Sequence, residues 1–289
     1  MAELPEEIGA YYAAGKEQGR LEQGPFKLER ARTEEILLRH LPPPPAEILD
    51  VGGGAGVYAL WLAAAGHVVR LLDPVPLHVE QARQESEGRA HGRLAEVLLG
   101  DARRLPQADG SQDAVLMLGP LYHLTERPDR ITALREARRV LRPGGWLFAA
   151  AIGRFASLLA GLFEGHLLDR AFAAIVEQDL KDGQHRNPTG GFDYFTTAFF
   201  HRPEELRAEV REAGFAVDAV LGIEGPGWLL SDFDAHWADP RKRELILTAA
   251  RAVEAEPTLL GVSPHLIAVA RRPGQRFTGR NRSKQRWKT

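Results

Sequence analysis

The residues best placed for chemistry lie in one short stretch, 48–56, with the sequence ILDVGGGAG. An apolar run there ends in an acid and then in alternating glycines. Ile48, Leu49 and Val51 read as the end of a buried strand. Gly52, Gly54 and Gly56 would turn the chain sharply and let a ligand reach the backbone, since glycine takes positive φ cheaply and has no Cβ in the way. Asp50 sits just before that turn, where its carboxylate can face whatever fills the loop. Two more acids follow short apolar runs. Asp73 closes 68–72, 21 residues after Gly52, and Asp101 follows 97–99 through Gly100. An ionised carboxylate only accepts hydrogen bonds, so acids at strand tips suit the hydroxyl and amino groups of a ligand.

Gly54, Gly56 and Ala59 also match the G-x-G-x-x-A form of a dinucleotide-binding fingerprint, so the glycines alone leave two ligand classes open. Later motifs separate them. D-x-G-x-G-x-G over 50–56, the acid at 73, Gly100-Asp101-Ala102 and then R-P-G-G-W-L over 142–147 occur in that order. Together they resemble the class I S-adenosylmethionine (SAM)-dependent methyltransferases. The resemblance covers 46–152 firmly and 203–222 and 264–271 more loosely.

That resemblance implies SAM as cofactor and a role for each matching residue. Gly52, Gly53 and Gly54 would offer backbone amides and close approach to the methionyl part, with Asp50 beneath them. Asp73 would accept the ribose hydroxyls, Pro74 and Val75 would cover one adenine face, and Asp101 with Ala102 would meet the adenine edge. Leu118 and Gly119 would line the reactive end. Tyr12 and Arg20 lie in a leading helical segment that can close over the cofactor, Arg20 towards its carboxylate; a solvated helix face is the alternative. In the loop Gly119–His123 (GPLYH), His123 is the candidate general base, because histidine titrates near neutrality, and Tyr122 could contact the acceptor. Relatives that methylate nucleobase amines carry an N-P-P-Y type loop there, from which GPLYH departs.

The elements that must position these groups follow from pattern. Ile36, Leu37 and His40 mark a helix within 1–41, and Pro42 to Pro45 cannot continue it. Strands are expected at 68–72, 96–99, 113–118, 146–152, 215–221 and 265–271, and helices at 57–65, 76–88, from near Pro128, and at 203–213. Alternation of strand and helix implies a parallel sheet with helices on both faces, here an α/β, Rossmann-like seven-stranded sandwich. The units expected are an N-terminal helical segment and proline linker (1–45), a cofactor-binding core (46–152), a helical cap insertion (153–202), the rest of the core with a second insertion (203–272) and a basic tail (273–289). Within the cap, Phe192, Tyr194, Phe195, Phe199 and Phe200 cluster; Tyr194 and Phe195 are candidate acceptor contacts if the rings form an apolar lid, and a satellite core is the alternative.

Bulk composition narrows the class. Apolar content of 44% and charged content of 26% are those of a globular protein. No stretch is long and apolar enough to span a membrane, and the start MAELPEEIGA has no basic leader, so a cytoplasmic enzyme is expected. The absence of cysteine excludes disulfides, cysteine-ligated zinc and a thiolate nucleophile. His185, His201 and His236 are too scattered to suggest a metal site. The net charge of −2 hides a division: eight basic groups and no acid lie in 271–289, leaving 29 basic against 39 acidic residues elsewhere. The tail reads as a disordered end or as a phosphate contact. The expected activity is methyl transfer to an oxygen or nitrogen of a small molecule. A tRNA-modifying enzyme using the tail is the alternative, since the order of helix, core, cap and final strand is also similar to bacterial wobble-uridine carboxylate methyltransferases. A SAM-binding module without catalysis is a third reading. Asp73→Ala should weaken SAM binding by about 1–3 kcal/mol through lost charge-assisted hydrogen bonds; unchanged affinity in a calorimetric titration would remove the residue from the site.

Overall fold

Successive residues of a strand point to opposite faces of a sheet, and the first strand uses both. In the computed structural model, which describes residues 5–15, 19–191 and 194–274, Ile48 packs into one apolar cluster and its neighbour Leu49 into another. Phe192 and the tail beyond 274 lie outside the described residues. Among the described residues, no helix is long and apolar enough to cross a membrane.

The chain runs α1 (Glu6–Ala13), a 3-10 turn (Arg20–Glu22), α2 (Phe26–His40), β1 (Glu47–Val51), α3 (Val57–Ala64), β2 (Val68–Asp73), α4 (Pro76–Glu87) and β3 (Glu96–Leu99). It continues with β4 (Gln112–Met117), the single turn α5 (Pro120–His123), α6 (Arg127–Val140), β5 (Leu141–Gly153), α7 (Ala156–Glu164), α8 (Arg170–Asp182), β6 (Gln184–His185) and β7 (Ala198–His201). Then come α9 (Pro203–Glu212), β8 (Ala216–Gly222), α10 (Phe233–Ala238), α11 (Pro240–Val253) and β9 (His265–Arg271). The sheet order is β3-β2-β1-β4-β5 in parallel, with β9 antiparallel to β5 and β8 antiparallel to β9. These are the seven strands expected from the sequence.

Two features depart from expectation. The cap is not wholly helical: β7 pairs in parallel with the end of β5 at Ile152 and Gly153, and β6 pairs with β7. A four-residue run of AFFH has no local strand signature, and only its distant partner makes it one. The strand β5 also begins before the R-P-G-G turn. Its ladder pairs Gln112 with Leu141 and resumes at Ala114 with Trp146, so 142–145 bulge outward. Gly144 takes φ +85° there, and its N–H donates to the Arg272 carbonyl at 2.7 Å.

Helices α6 and α9 cover one face of the sheet and α2 and α3 the other. The first pair is locked by a buried ion pair. Arg130, 1% exposed, gives two parallel hydrogen bonds to Glu209 at 2.9 and 2.7 Å, stacks 3.8 Å above the Phe199 ring of β7 and caps the Leu124 and Thr125 carbonyls. Burial alone would raise the Glu209 carboxyl, but His201 and Arg130 outweigh it and hold it at about 2. Removing one partner of a buried pair leaves the other charge uncompensated. Glu209→Ala should therefore cost about 3–5 kcal/mol in thermal or urea unfolding. Asp234→Ala, which breaks the exposed Lys27–Asp234 pair, should cost under about 1 kcal/mol.

Candidate active site

Ligands of open α/β sheets bind beyond the carboxyl ends of the strands. One cavity of about 1040 Å³ follows that edge here, from Leu99 and Asp101 beyond β3, past the glycine loop after β1, to Ala150 of β5, Ile223 and His265. Its walls include Tyr12, Arg20, Asp50, Gly52, Gly53, Gly54, Asp73, Pro74, Asp101, Ala102, Leu118, Gly119, Tyr122 and His123. Tyr194 and Phe195, expected as acceptor contacts, do not line it. Tyr194 is turned into the cap, its hydroxyl donating to Asp169 at 2.8 Å and its ring 4.8 Å from Phe172. Phe195 backs the wall from behind, packed against Tyr11 and Val75.

The glycine loop is held from two sides. The Gly52 N–H donates to the Leu72 carbonyl at 2.6 Å, and the Gly54 N–H to Asp73 Oδ2 at 2.9 Å. Gly52 and Gly54 take φ of +69° and +57°. A Cβ on Gly53 would lie 2.7 Å from Asp50 Oδ2, whereas one on Gly54 would meet nothing within 4 Å. The loop thus packs tightly onto Asp50 below and opens to the cavity above. Asp73 Oδ1 also accepts from the Val75 N–H at 2.9 Å and faces His78 Nδ1 at 3.1 Å. Three of the carboxylate's roughly four acceptor positions are used, which leaves one for a ligand hydroxyl without rearrangement.

Asp50 differs from its neighbours. It is 1% exposed, and neither carboxylate oxygen has a side-chain partner among the described residues, while the Ala59 backbone favours its charged form. Burial, helped by the charge of Asp73, raises its carboxyl to about 7. Asp101 has the opposite character. Burial would raise it, but Arg103 grips both oxygens at 2.6 to 3.1 Å and holds it below the usual carboxylate range. Arg103 is itself tied to Asp129 at 2.7 Å.

At the centre, Gly119 lies so close to the loop that a Cβ would sit 3.1 Å from the Gly52 carbonyl. His123 Nδ1 donates to the Thr197 carbonyl at 3.2 Å, which leaves Nε2 to accept from the Tyr12 hydroxyl. Burial pushes this imidazole down to about 4. Thr197 in turn donates to Glu7 of α1 at 2.6 Å, so helix, histidine and β7 form one wall. Arg20 is engaged by Glu29, at 2.6 and 3.1 Å.

The same cavity is also lined by groups with no local signal in the sequence: Glu29 and Thr33 of α2, Tyr58 of α3, Ile223 just after β8 and His265 of β9. Burial and the nearby Glu29 charge keep the Tyr58 hydroxyl protonated. His265 Nδ1 meets Glu224 Oε1 at 2.5 Å and faces Glu29 Oε2 at 3.8 Å. Burial opposes its charge, yet the two carboxylates raise it to about 9. The three side chains could bracket a cation, their ligand atoms lying within 4.8 Å of one another. Here a proton on Nδ1 and the guanidinium on Glu29 already fill that role.

The family described as "Methyltransferase domain" matches residues 49–149. The ubiquinone/menaquinone biosynthesis C-methyltransferase UbiE of Acidiphilium cryptum is 33% identical over 201 residues, 65% of this chain and 76% of that protein. The ubiquinone biosynthesis O-methyltransferase of Xanthomonas axonopodis pv. citri is 30% identical over 204 residues, covering 70% and 75%. A SAM-dependent methyltransferase from Methanosarcina mazei shares the fold, with a TM-score of 0.57 at 19% identity over 83% of this chain and 98% of that one. The chain belongs to the class I SAM-dependent methyltransferases.

The residues present fit the cofactor of this methyltransferase. The Asp50 carboxylate, without a side-chain partner, offers a counter-charge to an ammonium group, the space above Gly54 admits a ligand against backbone, and Asp73 keeps acceptor capacity. An acid raised from 3.8 to about 7 by folding contributes its stability below pH 4 and loses it as pH rises through 7. Asp50→Asn should therefore raise the stability of the cofactor-free methyltransferase at pH 8 by about 1–3 kcal/mol. The same change should weaken SAM about tenfold or more. In the wild type SAM affinity should climb from pH 6 to 8. Thermal melts and calorimetry at both pH values check all three.

Proposed function

We propose that this methyltransferase acts on a small molecule, transferring the methyl group to oxygen. The observation that carries this reading is the continuation of the cavity past Leu118 and Gly119 to Ala150, Ile223 and His265. Asp73 and Asp101 mark one end for the nucleoside, and the other end remains for an acceptor. A volume of about 1040 Å³ is at the upper limit of ordinary ligand pockets, which suits two small ligands side by side. The relatives named for quinone biosynthesis support a small-molecule acceptor. Since one of them is named as a C-methyltransferase, transfer to a carbon activated by an adjacent oxygen is a second reading. The GPLYH loop, unlike N-P-P-Y, argues against an exocyclic amine.

When bound, SAM supplies a methyl group already activated by its sulfonium, so the acceptor lone pair forms the new bond as the carbon–sulfur pair returns to sulfur. The protein then supplies alignment and a dry cavity. In this reading Tyr12 and His123 act as a positioning pair. His123 is neutral well below pH 7 and its Nε2 lone pair is occupied by the Tyr12 hydroxyl, so it closes the wall of α1 over the cavity.

Calorimetric titration of SAM, S-adenosylhomocysteine and NAD(H), followed by a screen of phenols, carboxylic acids and tRNA as acceptors, tests the proposal. Micromolar sulfur-nucleoside binding with turnover on a small molecule is expected. Turnover on tRNA alone, or binding without any turnover, would replace it with one of the alternatives. On the active acceptor, His123→Gln should keep kcat within about tenfold, whereas loss of about 10²–10⁴ would make His123 the general base.

A further inference from the structure

We propose that the far end of the cavity is an oxyanion subsite, in which His265, held between Glu29 and Glu224, donates its Nε2–H to an anionic oxygen of the acceptor. The chemical class is a carboxylate, phenolate or enolate. This rests on the methyltransferase reading and names the substrate chemistry of the same site.

Position is the first argument. His265 opens β9 and pairs with Ile152 at the carboxyl end of β5. In the strand order it lies on the side of β4 away from Asp73 and Asp101, off the nucleoside end. The Arg20–Glu29 pair beside it belongs to the segment expected over the cofactor's carboxylate, so the S-adenosylhomocysteine affinity of a His265 variant separates that carboxylate from an acceptor. Ala150 and Ile223 give that end apolar surface, and His265, 18% exposed, faces it from the wall.

Orientation is the second. Nδ1 is spent on Glu224 and directed towards Glu29. Glu224 is fixed in turn by the Ser263 hydroxyl at 2.7 Å and the His265 N–H at 3.2 Å. Glu29, from α2, is forked by Arg20 at 2.6 and 3.1 Å. The ring cannot turn without breaking these contacts. Among the described residues, no acceptor lies on Nε2. Two carboxylates around one ring keep its second proton in place at neutral pH, as the rise to about 9 expresses. The result is a cationic N–H at the cavity wall with its hydrogen bond still to be made.

Recognition follows from that donor. An anionic oxygen gains a charge-assisted hydrogen bond, and a neutral ether or ester gains far less. Arg20 stands against Glu29 and His265 against Glu224. An acceptor bound as its anion also arrives without a proton to remove, which agrees with His123 having its lone pair occupied by Tyr12.

The test uses the full chain with and without S-adenosylhomocysteine. The probes are two matched pairs: 4-nitrophenol with 4-nitroanisole, and phenylacetate with methyl phenylacetate. Each anion should bind about tenfold or more tighter than its methyl derivative, and bound 4-nitrophenol should show the phenolate absorption band at a pH where the free phenol is mostly neutral. His265→Leu should abolish both effects while leaving S-adenosylhomocysteine affinity within about threefold, and His265→Gln, which restores a neutral N–H donor, should recover part of the preference. Equal affinity within both pairs, no ionisation of the bound phenol, a preference that survives His265→Leu, or a fall of about tenfold or more in that variant's S-adenosylhomocysteine affinity, which would give His265 to the cofactor's carboxylate, would overturn the subsite. Because His265→Leu leaves Glu224 unpaired, the wild-type spectrum and affinities stand as a test by themselves. Failure to bind S-adenosylhomocysteine would instead count against the methyltransferase reading, since the anion preference is measured without it as well.

Discussion

Everything in this protein depends on how the chain leaves β1. Between Val51 and the start of α3 at Val57 it must pass over the buried Asp50, remain tied to β2 and keep its upper side clear. The Gly52 N–H to the Leu72 carbonyl and the Gly54 N–H to Asp73 make those ties. Gly53 can lie on Asp50 only because it has no Cβ. Side chains at these positions would either collide with Asp50 and Pro120 or need an unfavourable φ. The loop therefore sets the floor of the cavity, and Asp73, pinned by it, sets one end.

The buried charges elsewhere are compensated with care. Arg130, Glu209 and His201 answer one another between α6, α9 and β7. Arg32, fully buried, meets Glu35 and Glu254, joining α2 to the helix–strand region after α11. Asp179, also fully buried, is met by Ser157 at 2.5 Å and His185 at 2.9 Å inside the cap. Asp50 has no such partner. A buried carboxylate left without one is costly unless it is protonated or met by a ligand. That contrast separates the paired groups that hold the fold from Asp50, which lines the cavity without such a pair. His265 is the intermediate case, with one nitrogen committed to structure and the other left to the cavity.

The cap and the N-terminal helix act as one wall. Thr197 links β7 to Glu7, and His123 links the same residue's carbonyl to Tyr12. Segments nearly two hundred residues apart thus meet over the reactive end. In the cap, Phe195 supports this wall from behind, packed against Tyr11 and Val75, while Tyr194 buries against Phe172, so neither touches the cavity.

Much of the core could be read in the residues. The strands at 96–99 and 265–271, the turn after Val51 and the acids at 73 and 101 carry local patterns, because a buried parallel strand is a short apolar run and its tip is marked by glycine or acid. The cap was less legible. The strand at Ala198–His201 exists only through its pairing with β5, and the fork between Arg103 and Asp101 depends on side chains two residues apart turning to the same side. By itself the sequence determined the sheet and the glycine loop, which rest on backbone conformation and strand burial, and the cofactor through the order of the motifs at 50–56, 73, 100–102 and 142–147. Tertiary structure alone decided the grouping around His265. Glu29 of α2, Glu224 just after β8 and His265 of β9 are separated by up to 236 positions, and no spacing rule in the chain connects groups brought together by the packing of α2 beside the β8–β9 pair.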